Sequence, residues 1–237
     1  MSTPLNVTTH SFTDSQAQAR ALAERVAERL RTALSERDHA VLAVSGGSTP
    51  KDFFERLSRE KLDWTKVLVT LVDERWVPDS DERSNARLVK SHLLQNAASR
   101  ARLIPLYTGD ATPETGLAEA NARIDALPLP FDVVVLGMGE DGHTASFFPG
   151  GDHLAEALDL HGKTRVLPMH APDAGEPRIT LTLPTLLETR ALYLLVSGEK
   201  KRDLLADARL GLGAARDYPV RAVLTQQRVP VAVYWCP

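Results

Sequence analysis

The sequence predicts an α/β protein in which helices cover both faces of a mostly parallel sheet. Short apolar runs indicate buried strands, stretches with a single apolar stripe indicate helices, and the two alternate along the chain. Helices that connect strands form right-handed crossovers, which make neighbouring strands parallel. Because the 237 residues show no internal repeat and no clear linker, we expect one domain over residues 1–237.

The first predicted helix runs from Asp14 to about Leu34, and Thr13 or Asp14 can cap its start. Ala40–Val44 follows as a strand buried on both faces, and Pro50 opens the next helix, which continues through Leu57. The other predicted strands are Val67–Val72, Leu103–Leu106, Phe131–Gly137, Ile179–Leu183, Leu192–Val196 and Val231–Trp235. The other predicted helices are Ser84–Leu94, Pro113–Leu127, Lys200–Ala208 and Val220–Gln226. Pro149–Glu176 is expected to be an irregular excursion or a small insertion.

Composition excludes several classes of protein. A net charge of −3 gives no basic footprint for nucleic acid, and the single cysteine, Cys236, excludes an intramolecular disulfide and a cysteine-based zinc site. The polar segment Met1–Ser11 lacks the features of a signal peptide, and no apolar run approaches the ~20 residues that span a bilayer. We therefore expect a cytoplasmic protein that contacts neither membrane nor nucleic acid.

The loop Ser45–Pro50 joins a buried strand to a helix and contains two adjacent glycines. Glycine lets the backbone approach an anion, Ser48 or Thr49 can cap the helix, and a helix start attracts negative charge. The loop therefore indicates a phosphate or carboxylate cradle formed by Gly46, Gly47, Ser48 and Thr49. A tight turn with a good cap explains the same residues equally well.

Charged residues follow the next strand, as Asp73, Glu74 and Arg75. In open parallel sheets, ligands bind beyond the carboxyl ends of the strands. A carboxylate at such a position can accept bonds from sugar hydroxyls, and an arginine can hold an oxyanion with two parallel donors. A solvated turn is the alternative. Ser84, further on, can cap the following helix.

The most unusual segment is Gly137–Ser146, which follows the strongest predicted strand. His143 is the candidate general base, and Asp141 can orient it or contact substrate. Glycine N–H groups between 137 and 142 are candidate donors to a developing oxyanion. The other histidines show no metal-ligand spacing, so we expect no metal site.

Basic residues mark two further strand boundaries. Arg178 precedes one predicted strand, and Lys200 and Lys201 follow another within Ser197–Lys201. A lysine at a strand-to-helix junction can bind phosphate as a point charge, although a solvated helix start is the simpler explanation for each lysine alone.

Together these segments resemble the 6-phosphogluconolactonase family. The matching pieces are SGGSTP (45–50), VDERWVP (72–78), LGMGEDGHTASFFPG (136–150), RITLTLP (178–184) and SGEKK (197–201). The resemblance implies a Rossmann-like fold and hydrolysis of 6-phosphogluconolactone without metal or organic cofactor. It also implies a place in the oxidative pentose phosphate pathway.

The resemblance assigns roles to residues of this chain. His143 matches the general base, the loop 46–49 matches the phosphate loop, and Arg178 and Lys201 match basic residues that meet the phosphate. Asp73 and Arg75 lie in the family's second motif. We choose Lys201 over Lys200 because the family pattern leaves two residues between glycine and lysine.

Two alternatives remain at this stage. Glucosamine-6-phosphate deaminase shares the fold and similar segments, but it typically has a tyrosine where this chain has Arg75 and an Asn-Glu-Pro where this chain has Ser146–Pro149. A sugar-phosphate sensor without catalysis is the other alternative. The presence of His143 and Asp141 argues weakly against it.

Overall fold

The computed structural model describes residues 7–172 and 174–237, so the beginning of the polar segment Met1–Ser11 lies outside the described residues. The strands are β1 (Val7–Ser11), β2 (Ala40–Val44), β3 (Val67–Leu71), β4 (Asp73–Arg75), β5 (Arg102–Ile104), β6 (Val133–Leu136), β7 (Val166–Met169), β8 (Arg178–Leu181), β9 (Leu192–Ser197) and β10 (Val231–Cys236). The α-helices are α1 (Ser15–Glu36), α2 (Lys51–Leu57), α3 (Asn85–His92), α4 (Pro113–Asp125), α5 (Leu154–Leu158), α6 (Leu183–Leu187), α7 (Glu199–Leu210) and α8 (Val220–Thr225).

Seven strands form a parallel sheet in the order β1-β10-β9-β6-β2-β3-β5. Strands β2 and β6 are buried along their whole length, which requires cover on both faces, and helices flank the sheet as predicted. From β2 the chain proceeds to β3 on one side, whereas β6 lies on the other side. The loops that follow β2 and β6 therefore separate and leave a crevice at the carboxyl edge. The predicted single-domain, Rossmann-like α/β class is confirmed.

A second, smaller sheet was not predicted. Strands β4, β8 and β7 pair antiparallel in the order β4-β8-β7. The segment Ile179–Leu183, predicted as a strand of the main sheet, belongs here as β8 and ends at Leu181, and Leu183 already begins α6. The predicted irregular stretch 149–176 contains α5 and β7. Pro168 lies within β7, which pairs with β8 alone and so tolerates a residue without an N–H.

Strand β1 was also missed, because it carries no apolar alternation. Only Val7 is buried, and the other four residues face solvent at the edge of the main sheet, where β1 pairs with β10. The predicted strand Leu103–Leu106 is β5, one residue earlier at its start and two earlier at its end, and the predicted strand Phe131–Gly137 shortens to β6.

The helix caps confirm two predictions and correct a third. The Asp14 side chain accepts a hydrogen bond from Ala17 N at the start of α1, and Ser84 accepts one from Arg87 N at the start of α3. The start of α2 differs, since Pro50 occupies the cap position and neither Ser48 nor Thr49 caps the helix. No helix within the described residues is long and apolar enough to cross a membrane.

Candidate active site

A cavity of about 260 Å³ opens at the carboxyl edge of the main sheet, beside the loops that follow β2 and β6. It is lined by every predicted site residue except Asp141. Those lining residues are Gly46, Gly47, Ser48, Thr49, Asp73, Arg75, His143, Arg178 and Lys201. The topology therefore gathers residues that are widely separated in sequence into one site.

The loop after β2 presents free backbone donors to this cavity. Within the part of the chain that the structure describes, no acceptor faces the N–H groups of residues 46–49. Gly47 has φ +93°, a backbone conformation that residues other than glycine rarely adopt. At Gly46 a Cβ would lie 1.8 Å from Asn85 Oδ1, so only glycine fits against this asparagine. The loop can thus accept an anion, and the absence of a side-chain cap leaves its donors open.

Two arginines lie next to each other across the small sheet. Arg75 on β4 and Arg178 on β8 occupy directly opposite positions, and both line the cavity. Among the described residues neither arginine has a carboxylate within ion-pair distance, and the buried Nε of each lacks a hydrogen-bond partner. Burial, together with the charge of Arg75, lowers the pKa of the Arg178 guanidinium. One terminal nitrogen of each guanidinium already donates to a backbone carbonyl, that of Arg83 or of Ala174. Two like charges on opposite residues favour an anion that accepts from their remaining donors.

The two lysines at the start of α7 have different surroundings. Lys201 is partly buried and lines the cavity. The Lys200 ammonium points elsewhere, and its Nζ lies 3.1 Å from Glu140 Oε2 in an exposed ion pair. Lys201 is therefore the lysine that is placed to contact a ligand in the cavity. Lys200, the preceding residue, lies outside the cavity and can serve as a control in mutagenesis.

His143 is held from one side of its ring. Its Nδ1 lies 2.6 Å from Asp141 Oδ1, and its backbone N–H donates to the same oxygen at 3.1 Å. Burial raises the pKa of Asp141, but the hydrogen bonds and charge of His143 outweigh it and lower that pKa overall. A Cβ at Gly139 would lie 2.2 Å from His143 Nδ1, so this glycine makes room for the pair. Nε2 is left without a partner among the described residues, as a general base requires.

The loop around His143 uses some of the donors that were expected to stabilise an oxyanion. Gly139 N–H donates to the His143 carbonyl at 2.9 Å, and Gly142 N–H donates to the Gly139 carbonyl at 3.3 Å. These two groups brace the loop and are not free to bind a reacting oxygen.

The acidic residues after β3 have separate environments. Asp73 lines the cavity and accepts a hydrogen bond from Ser146 Oγ at 2.6 Å. Glu74 is fully buried and accepts four hydrogen bonds, from Ser84 Oγ and from three backbone N–H groups, two of them at the start of α3. Burial raises the pKa of Glu74 to about 7 in spite of those bonds. Glu74 thus ties β4 to α3, and Asp73 faces the ligand space.

Two residues to which sequence reasoning gave no role also belong here. Asn85 is buried, lines the cavity and donates from Nδ2 to the Asp73 carbonyl at 3.0 Å. The Phe148 ring packs on His143 and on the guanidinium of Arg178. Asn85 could have been identified as a site residue from the sequence, because a polar side chain at the first position of a helix next to a charged strand end is a recognisable pattern. Phe148 could not, because a phenylalanine in a glycine-rich loop cannot be distinguished from a core residue in the sequence alone.

Comparison with known proteins identifies the family of the chain. The family model described as glucosamine-6-phosphate isomerases/6-phosphogluconolactonase matches residues 13–235. The chain belongs to this family. Within it, the chain is 50% identical over 228 residues to a protein named 6-phosphogluconolactonase from Rhizobium meliloti strain 1021, covering 96% of this chain and 98% of the relative. It is 47% identical over 220 residues to a protein of the same name from Pseudomonas aeruginosa PAO1, covering 93% and 91%.

Solved structures of two enzymes share the whole fold of this chain. A 6-phosphogluconolactonase from Shewanella baltica OS155 superposes with a TM-score of 0.91 at 41% identity and covers 98% of both chains. A monomeric glucosamine-6-phosphate deaminase superposes with a TM-score of 0.74 at 19% identity over 95% of this chain and 96% of that chain. The second likeness concerns the fold alone, so the choice between two activities depends on the residues in the cavity.

Proposed function

We propose that this chain hydrolyses 6-phospho-D-glucono-1,5-lactone to 6-phosphogluconate, a step of the oxidative pentose phosphate pathway. The observation that carries the proposal is that His143, oriented by Asp141, lines the same cavity as two arginines. Among the described residues, neither Arg75 nor Arg178 has a carboxylate within ion-pair distance. The names and high identity of the relatives support the same substrate.

The phosphate end of the substrate would lie on the small sheet and the loop after β2. Arg178 and Lys201 supply positive charge, Arg75 adds a second guanidinium beside Arg178, and the N–H groups of residues 46–49 supply neutral donors. Asp73, fixed by Ser146, is placed to accept a sugar hydroxyl.

The chemistry needs no covalent intermediate, because a lactone is already an activated ester. His143 Nε2 takes a proton from water as the water oxygen attacks C1, and the C1 carbonyl oxygen becomes an oxyanion. When the C1–O5 bond breaks, the imidazolium returns that proton to the departing ring oxygen. Asp141, held at 2.6 Å from Nδ1, fixes the ring and stabilises its charged form. No metal or organic cofactor enters these steps.

A deaminase is the second candidate, since a glucosamine-6-phosphate deaminase shares the fold. Arg75, in place of the tyrosine expected of a deaminase, faces the cavity beside Arg178 and disfavours this activity. The segment Ser146–Pro149 stands where a deaminase typically has Asn-Glu-Pro, and its first residue, Ser146, is buried and donates to Asp73.

One assay separates the candidates. Acid release from freshly prepared 6-phosphogluconolactone, corrected for spontaneous hydrolysis, should be accelerated strongly, while glucosamine-6-phosphate should release no ammonia. Ammonia release would support the deaminase, and saturable binding without turnover would support a sensor.

The proposal includes a cytoplasmic location and one lactonase domain over residues 1–237, with no nucleic acid or membrane as partner.

A further inference from the structure

The Phe148 ring contacts both the base and a phosphate-binding cation of the proposed site. Its centroid lies 4.5 Å from that of the His143 imidazole at an interplanar angle of 34°, and Arg178 Cζ lies 5.3 Å from the same ring centroid. Phe148 is 5% exposed and Arg178 is 9% exposed, so the contact between these two side chains is shielded from water. Phe148 does not line the cavity, and any effect on substrate must pass through its two neighbours.

Backbone hydrogen bonds brace the turn that carries this buried ring. Phe148 N–H donates to the Ser146 carbonyl at 3.1 Å, and Gly151 N–H donates to the Phe148 carbonyl at 3.0 Å. Ala145, just before this turn, has φ +48°, a conformation that alanine rarely adopts. A ring held in this way can orient its neighbours, because it loses little further freedom when ligand binds.

We propose that Phe148 is a positioning residue that couples the two ends of the site. In this inference, which rests on the proposed lactonase function, its ring orients Arg178 for the substrate phosphate. The same ring packs on His143 and stabilises the imidazolium that forms when His143 takes the proton from water. The face of an aromatic ring carries negative potential, so it attracts both cations.

Loss of the Phe148 ring should therefore lower both kcat and the affinity for 6-phosphogluconate. In Phe148→Leu the ring face is lost and an apolar side chain remains, so kcat should fall through His143 and the affinity for 6-phosphogluconate should fall through Arg178. Cation–π contacts in a partly exposed to buried setting predict losses of about threefold to thirtyfold in each quantity. Phe148→Tyr keeps the ring face, and we expect it to retain both values within about twofold.

Phe147→Leu is the matched control. Phe147 is the preceding residue and is fully buried, but among the described residues its ring stacks on neither His143 nor Arg178. It should lower thermal stability without changing kcat or product affinity per folded molecule. Steady-state kinetics, calorimetric titration with 6-phosphogluconate and thermal melts would be measured on every variant, and Phe148→Met replaces Phe148→Leu if the latter does not fold.

A loss in both quantities in Phe148→Leu, with Phe148→Tyr near wild type, supports the inference. Loss in only one quantity, or equal losses in Phe147→Leu, would overturn it. If the wild-type protein hydrolyses the lactone and Phe148→Leu is unaffected, only this inference fails. If the wild-type protein does not hydrolyse the lactone, the proposed function fails and the inference falls with it.

Discussion

Removing the phosphate from the substrate tests the cationic half of the cavity directly. Arg75, Arg178 and Lys201 line the space, and neither arginine has a carboxylate partner among the described residues. Each charge-assisted hydrogen bond is worth about 1.5–3 kcal/mol, so the loss of two or three removes about 3–9 kcal/mol. Since about 1.4 kcal/mol is a factor of ten, kcat/KM for unphosphorylated gluconolactone should be about 10²–10⁶ lower.

Substitution of each lysine tests the same site further, because Lys201 lines the cavity whereas Lys200 pairs with Glu140 outside it. Lys201→Ala should lower kcat/KM for the phosphorylated lactone and leave the unphosphorylated lactone nearly unchanged. Lys200→Ala should affect neither substrate appreciably, because an exposed ion pair contributes little. Part of the loss in Lys201→Ala should appear in kcat, since binding energy at the phosphate helps to position the carbonyl.

The assay is kcat/KM for both lactones in the wild type and both variants, at one fixed ionic strength because screening weakens exposed charges. Equal rates on the two lactones would refute the phosphate site. A larger effect in Lys200→Ala than in Lys201→Ala would show that the wrong lysine had been assigned.

Three further predictions concern the base, the metal requirement and a buried acid. His143→Asn should lower kcat about 10²–10⁴-fold with little change in product affinity, and Asp141→Asn should lower it less because the base remains; normal kcat in His143→Asn would require another base. Activity should survive dialysis against a chelator, since His143 supplies the base, and loss restored by one divalent ion would contradict this. Burial raises the pKa of Glu74 from its ordinary 4.5 to about 7, so the folded state binds this proton more tightly than the unfolded state does. The free energy of unfolding should therefore decrease by about 3 kcal/mol as the pH rises from below 4.5 to above 7. Urea unfolding, measured below the lower and above the higher of these pKa values, should show a smaller decrease in the free energy of unfolding for Glu74→Gln than for the wild type. An equal decrease in the two proteins would assign the pH dependence to other groups.

The main sheet could be predicted because its central strands are continuous apolar runs. β2 and β6 are buried on both faces, and burial of this kind leaves a clear signal in the residues. The edge strand β1 buries only Val7, and β7 contains Pro168, so neither strand carries a periodic signal. Pairing in the small sheet depends on contacts between distant segments, which local periodicity does not encode.

The site could be predicted as a set of segments but not as a geometry. Glycines, charges and His143 after strand ends mark the carboxyl edge of a parallel sheet. The directly opposite placement of Arg75 and Arg178 depends on antiparallel register, and the role of Phe148 depends on the direction of its ring. Neither property has a pattern in the sequence.

The pairing of β4 with β8 makes the arginine part of the proposed site depend on a segment that is synthesised late. During synthesis, β2, β3, β5 and β6 emerge well before Arg178, so a nascent chain can hold the glycine loop long before it can oppose the two arginines. Closing so long a segment is entropically costly and slow. A one-residue slip in register would turn one arginine to the other face of the small sheet. If the proposed site holds the phosphate, ligand therefore stabilises the fully folded protein most, and a trapped intermediate without this pairing gains less from it.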